Sequence, residues 1–206
     1  MIAFSDVDLL VVLAQTDLIT EALDVLGVQN QDIVVTNTLF LRARSSGGRG
    51  LSNLGLTAAA KQRFVNLVTN SQTITESQNT SILAKLSDEG VDEGEAILFA
   101  TACNDDDSVV VTGDKRALND LAKIPDLSEQ LEHRIVCLEN LFLALFNNHG
   151  FNEIKDKVMI ALETEACENK TLALCMQPHH TEEDARECMN SGINALVNPD
   201  LLTILN

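Results

Sequence analysis

Three short stretches of the chain are apolar without interruption: IVV in "DIVVTN", VVV in "DSVVVTG" and IVC in "HRIVCLE". A strand with one wet face alternates apolar and polar residues. A strand that is apolar throughout is covered on both faces. Segments with apolar residues at helical spacing lie between these runs, among them "LLVVLAQTDLITEALDVLGV", "TAAAKQRFVNLV", "VDEGEAILFATAC" and "NLFLALFNNHG". Strands that alternate with helices predict an α/β fold with a mostly parallel central sheet. The opening run "IAFS" supplies a first strand, which ends at Asp6. Gly27 is a predicted helix stop, Thr57 a helix N-cap, and Pro125 the end of the helix that begins "DKRALNDLAKI". "TLFLRARS" can begin a helix ahead of the glycine-rich stretch at 47–50.

From about residue 151 the pattern changes to helical segments, "FNEIKDKVMIALETEAC" and "TEEDARECMNSGINALV", and no further strand is expected. The predicted organisation is an α/β domain over 1–145 and a helical extension over 146–206. The extension packs on the domain or serves association, including a homo-oligomer.

The core of such a fold must be aliphatic here. Tyr and Trp are absent, and Phe is the only aromatic residue. That argues against a site that stacks bases on aromatic platforms. The five cysteines (Cys103, Cys137, Cys167, Cys175 and Cys188) are odd in number and lack a disulfide-framework spacing. They read as reduced thiols in a cytoplasmic protein. "MIAFSDVDLL" has neither the basic start nor the cleavage site of a signal peptide. No apolar run approaches the roughly 20 residues that span a bilayer, so no membrane association is expected.

The formal net charge of -17 opposes nonspecific adhesion to nucleic acid or anionic membrane. The charge is uneven, however. Residues 33–75 contain no acid but hold Arg42, Arg44, Arg49, Lys61 and Arg63. Arg42, Arg44 and Arg49 fall in "LRARSSGGRG", which reads either as a solvated loop or as a place where phosphates are held.

Ligands of open parallel sheets collect outside the carboxyl ends of the strands. Asp6 follows the first strand, and Asp114 follows "VVVTG". Asp8 lies on the turn into the first helix. Glu95 lies in the first turn of the helix leading into the "VVVTG" strand, which places it at the same edge. Converging carboxylates repel and need a cation. Hard oxygen ligands suit Mg²⁺ or Mn²⁺. Each residue also has a plainer reading. Asp114, Asp6 and Asp8 are natural helix caps, and Glu95 with Asp92 and Glu93 complements a helix dipole. Capping and metal ligation are compatible, because one carboxylate has several lone pairs.

A strand into "SDVDLL", a helix beginning "DEGEA" and a strand into "TGDKRAL", in that order, resemble the PIN-domain superfamily over residues 1 to about 145. The resemblance implies a Rossmann-like, three-layer fold and a Mg²⁺- or Mn²⁺-dependent nuclease, often an endoribonuclease acting on single-stranded RNA. It also implies, for toxin members, a partner antitoxin. It assigns Asp6, Glu95 and Asp114 as metal-binding acids, with Asp8 as a further ligand. Thr112 matches the small polar residue before the last of them. The flanking strand would be held by Thr112, Arg42, Arg44 and Arg49. The chain departs from the pattern in "TNTLFLRARS", where the family often carries a fourth acid and Arg42 or a neighbour stands instead, unless Asp8, Asp92 or Glu93 compensates. That departure supports an alternative, a catalytically degenerate PIN-like binding or regulatory module.

Cys167, Cys175, His179, His180 and Cys188 are metal-type side chains without the close cysteine pair of structural zinc sites, so they read as ordinary thiols and a loop histidine pair. No P-loop, dinucleotide-binding glycine motif or serine nucleophile elbow is present.

Overall fold

In the computed structural model, which describes residues 2–74, 79–164 and 167–205 and only the backbone of 2, 4 and 46–49, the apolar runs are strands of one parallel sheet. The chain runs β1 (Ile2–Ser5), α1 (Val7–Thr16), α2 (Ile19–Leu26), β2 (Ile33–Val35) and α3 (Asn37–Arg44). A 3₁₀ segment over Ser46–Leu54 leads to α4 (Ala58–Thr69) and β3 (Gln72–Thr73). Next come α5 (Thr80–Asp88), α6 (Glu93–Ala102), β4 (Ser108–Thr112), α7 (Lys115–Leu121), α8 (Pro125–Gln130) and β5 (Ile135–Cys137). The chain continues through α9 (Leu138–His149), α10 (Phe151–Glu163), α11 (Lys170–Cys175) and α12 (Glu182–Asn194).

The five strands lie in the order β3-β2-β1-β4-β5. Every adjacent pair is parallel. Ala3 is level with both Ile33 and Val109, and Val110 is level with Ile135. Successive side chains of a strand point to opposite faces, and the core clusters follow that rule. Ala3, Ile33, Val35, Val109, Val111 and Val136 join one apolar cluster. Val34, Val110, Ile135 and Cys137 join another. The first cluster includes Leu9 of α1, Phe64 of α4, Phe142 of α9 and Val158 of α10. The second includes Leu86 of α5, Phe99 of α6 and Leu118 of α7. The uninterrupted apolar runs are therefore explained by cover on both faces, as the sequence implied.

Several expectations are corrected in detail. The first helical stretch is broken after Thr16. Asp17 adopts a left-handed conformation, φ 56°, and closes α1. Arg63 of α4 holds that corner, because its Nε donates to Ala14 O at 2.8 Å and lies 3.2 Å from Asp17 Oδ1. Pro125 begins α8 rather than ending α7, which has closed by Ala122. Proline suits that place, since a first-turn residue needs no N–H partner. The two-residue β3 and the short α11 carry too little periodicity to be read from sequence.

The tail shares the main core. Phe151, Ile154, Val158, Leu172, Met176 and Met189 all belong to the first cluster. The division at 145 falls inside α9, so the helix that starts at the sheet runs on into the extension. Contrary to the expectation of helices alone, the tail also returns to the sheet. Leu202 forms a parallel bridge with Ile135 beside β5, and Thr203 N donates to Ile135 O at 2.7 Å. The cysteines are corrected as well. Cys175 of α11 and Cys188 of α12 form a disulfide across two helices whose packing the spacing of cysteines does not reveal. Cys103, Cys137 and Cys167 are free and buried.

α12 reaches the carboxyl end of β5 through Gly192. A methyl group there would sit 2.8 Å from Glu139 Oε1 and 3.1 Å from Lys115 Nζ. Those two atoms form an ion pair at 2.6 Å, and Glu139 is almost wholly buried. A larger residue at 192 must displace that pair. Gly192→Val is expected to destabilise the protein by about 2 kcal/mol, whereas Ser191→Ala on the exposed side stays within about 0.5 kcal/mol. Urea denaturation of the two variants beside the parent checks this.

Candidate metal centre

The strand order reverses between β1 and β4, since the chain moves outward to β2 and β3 on one side and later to β5 on the other. Open parallel sheets hold ligands in the crevice at such a reversal. Asp6 is the first residue past β1 there. Its N–H donates to Val111 O at 3.1 Å, which continues the β1–β4 pairing by one residue. Its carboxylate accepts from Asp8 N at 3.1 Å and from Gly113 N at 3.4 Å. Asp6 is thus the N-cap of α1 and also a clasp between the ends of the two central strands.

Asp114 caps α7 in the same manner. Its Oδ1 accepts from Arg116 N at 2.8 Å and from Ala117 N at 3.1 Å. Oδ2 stays on the other side, 4.0 Å from the exposed guanidinium of Arg116. Asp92 caps α6, accepting from Gly94 N at 3.1 Å and Glu95 N at 3.4 Å. Glu95 lies one turn inside that helix and is buried. Each acid is therefore held by the backbone of a helix start, and three helix starts face one edge of the sheet.

Ligand oxygens of Asp92, Glu95 and Asp114 lie within 4.8 Å of one another. Asp6, Asp8, Asp92 and Glu95 line one open cleft of about 220 Å³, together with Ser5, Thr36 and Gly94. Of the predicted acids, Asp6, Asp8 and Glu95 line the cleft, with Asp8 exposed at the rim, while Asp114 lies in the close group with Glu95. Asp92 joins them. Its position three residues before Glu95 on a helix start was the available signal, and the plainer dipole reading covered it.

The electrostatics follow from crowding. Burial raises the Asp6 carboxyl to about 6, and the nearby charges of Asp8 and Asp114 add to the effect against the two backbone donors. Burial raises Glu95 further, to about 9, helped by its hydrogen bond to Asp92 and the charge of Asp6. Asp92 moves the opposite way, chiefly because it accepts that hydrogen bond from Glu95. At neutral pH, Glu95 carries the proton and Asp92 the charge.

The basic residues are placed differently from the expectation. Arg42 Nε donates to Gly50 O at 2.8 Å, and its NH2 group donates to Asn53 Oδ1 at 2.8 Å. Its guanidinium fork is used to fold the 3₁₀ segment onto α3. Arg44 stacks over the Phe40 ring, 5.4 Å from its centroid. The side chain of Arg49 lies outside the described residues. Thr112 is fully buried, and its hydroxyl accepts from Asp114 N at 3.0 Å. It positions the acid rather than facing the cleft. Arg116 is the cation at the rim that the sequence reading did not assign. At the zinc-type residues of the tail, Cys175 and Cys188 are consumed in the disulfide. His180 Nδ1 lies 3.1 Å from Cys175 O, and among the described residues the group spaced to hold a metal ion is the acidic one.

Comparison with known protein families, characterised proteins and solved structures returns no match. Among the described residues, no helix is long and apolar enough to cross a membrane.

A raised carboxyl pKa means that the folded state keeps a proton the unfolded chain has already released. Stability then falls as pH rises from the ordinary value towards the raised one. In EDTA, the parent chain should lose stability between about pH 6 and about pH 8. Glu95→Gln keeps the shape and the donor to Asp92 while removing the titration, so it should flatten that slope and exceed the parent in stability at about pH 8. Thermal midpoints measured across this range check both; a parent slope equal to that of the variant overturns the assignment.

Proposed function

We propose that the chain is a metal-dependent nuclease with a PIN-like, three-layer Rossmann-like fold that cleaves single-stranded RNA. The observation that carries this reading is the convergence of Asp92, Glu95 and Asp114 within 4.8 Å, with Asp6 lining the same cleft. An all-carboxylate donor set fits a hard cation, Mg²⁺ or Mn²⁺, and does not fit a soft one. Binding a dication in place of the Glu95 proton relieves the mutual repulsion that keeps that proton on. Asp6, Asp92, Glu95 and Asp114 would hold the ion, and Asp8 is near enough to the cleft to bind one of its waters. Such an ion supplies water activation and stabilises developing charge at a phosphodiester.

The protein's own groups divide the remaining tasks. Thr112 and the α7 backbone amides hold Asp114 in place. Arg116, exposed and 4.0 Å from Asp114, is suited to meet a phosphate flanking the metal. Asp92 takes the place of the acid that the family carries in the helix after the second strand. The strongly acidic surface means that the ion, rather than a broad basic face, mediates contact with the nucleic acid.

One observation favours the second reading, a degenerate module that binds or regulates a partner. α3 carries no acid, and the guanidinium of Arg42 is committed to its own loop. Incubation of labelled single-stranded RNA with Mn²⁺, with EDTA, and with Asp114→Asn or Asp6→Asn separates the two. The nuclease reading expects cleavage that EDTA abolishes and that each substitution reduces about 100-fold or more. Arg116→Ala should raise KM about fivefold or more with a smaller effect on kcat. Cleavage that survives EDTA, or no cleavage by the parent protein, removes the nuclease reading.

A further inference from the structure

The tail is tied to the cleft by a chain of contacts that passes through the one disulfide among the described residues. Cys175, buried at the end of α11, is bonded to half-buried Cys188 in the middle of α12. α12 packs along α9 with Met189 and Ala185 in the main core. One turn past Cys188, Gly192 leaves room for the Lys115–Glu139 pair, since a side-chain carbon there would fall 2.8 Å from Glu139 Oε1 and 3.1 Å from Lys115 Nζ. Lys115 is the first residue of α7 and follows Asp114 directly. The pair thus anchors the start of α7 to the start of α9, and the α7 amides at 116 and 117 hold the Asp114 carboxylate.

We propose that the Cys175–Cys188 disulfide is a redox-controlled lock on the acidic cleft, clamping α12 over the Lys115–Glu139 pair that fixes Asp114. In the oxidised state α11 and α12 move as one unit and keep water from Glu139, the buried member of the pair. Reduction releases α12 from α11, so that Gly192 no longer has a fixed position above Glu139. Glu139 then hydrates, and the first turn of α7 loses its anchor.

The reducing partner is a dithiol. One of its thiolates attacks the sulfur of Cys188, the more exposed of the two, and Cys175 leaves as the thiolate. The second thiol of the reductant then displaces Cys188 from the mixed disulfide. The dithiol becomes a disulfide, having given up two electrons and two protons, and both cysteines end as thiols. Cys103, Cys137 and Cys167 take no part. They are buried, and burial pushes their thiols up, to about 11 for Cys103 and about 12 for Cys137, away from the reactive thiolate.

The test uses the full chain, purified without reductant. Thiol titration in denaturant is expected to find three reactive thiols of the five cysteines, rising to five after treatment with a dithiol. Five before treatment overturns the proposal. Amide hydrogen exchange is then compared between the two forms. Exchange at the N–H groups of Arg116 and Ala117 should speed up about tenfold on reduction and return on reoxidation. Cys188→Ser should match the reduced parent and show no response to dithiol. Unchanged exchange at those two amides, with the disulfide present, overturns the coupling and leaves only a structural staple. A third readout, Mn²⁺ affinity, rests on the metal reading above and should fall about fivefold on reduction. Absence of Mn²⁺ binding in both forms counts against that reading alone, because the thiol and exchange results judge the lock without it.

Discussion

Buried carboxylates along one edge of a sheet cannot all keep their charge, and each of those in this protein is neutralised in its own way. At the end of β5, Glu139 is matched by Lys115 at 2.6 Å, and the tail covers Glu139 while Lys115 stays partly exposed. At the ends of β1 and β4 the acids have no such close partner among the described residues, because Lys115 turns to Glu139 and Arg116 stays 4.0 Å from Asp114. Asp6 is balanced by two backbone N–H groups, and Glu95 by retaining its proton, which it donates to Asp92. The edge is thus closed with a built-in cation at one strand and left short of one at the strand pair where the order reverses. That contrast supports the proposal of a metal ion at β1 and β4 rather than at β5.

The same contrast gives the helical tail a part in the site. α12 carries a glycine where any side chain would meet the Lys115–Glu139 pair, and the chain end lays Leu202 and Thr203 beside β5. The tail therefore covers the one end of the sheet that has its own counter-ion. Its buried residues merge with those of α1, α4 and α9, so its removal would expose the core as well as the pair.

Much of this was legible in the sequence, and the limits have identifiable causes. Uninterrupted runs such as Val109–Val111 implied a doubly covered sheet, because a run without polar positions has no wet face. Asp6 and Asp114 could be brought together from strand ends alone, since parallel strands place their carboxyl ends on one side. Glu95 followed from the direction of the helix that leads into β4. What sequence could not supply were interactions chosen among equals. Arg42 had a loop carbonyl and a phosphate as competing acceptors, and the nearby Gly50 carbonyl is the one it meets. Asp92 resembled any acid at a helix start until its distance to Glu95 was known. Cys175 and Cys188 sit 13 residues apart on separate helices, and only the packing of α11 on α12 brings their Cα atoms to 5.4 Å. The helix break at Asp17 depends on Arg63, a partner on another element.

The placement of charge bears on how a polyanion could reach the cleft at all. Residues 33–75 hold five cations and no acid, which by composition suggested a phosphate-binding face. Folding spends Arg42 and Arg63 on carbonyl oxygens of the chain itself, and these bonds shape the α1–α2 corner and the 3₁₀ segment. Among the described residues, Arg116, on the helix start that Asp114 caps, lies 4.0 Å from that acid. On the nuclease reading proposed above, four carboxylates and one guanidinium would attract a dication first, and the bound dication would lower the local charge enough for a phosphate to approach Arg116. On that reading, metal before substrate is the order that these charges favour, and the proton on Glu95 is what the metal would displace.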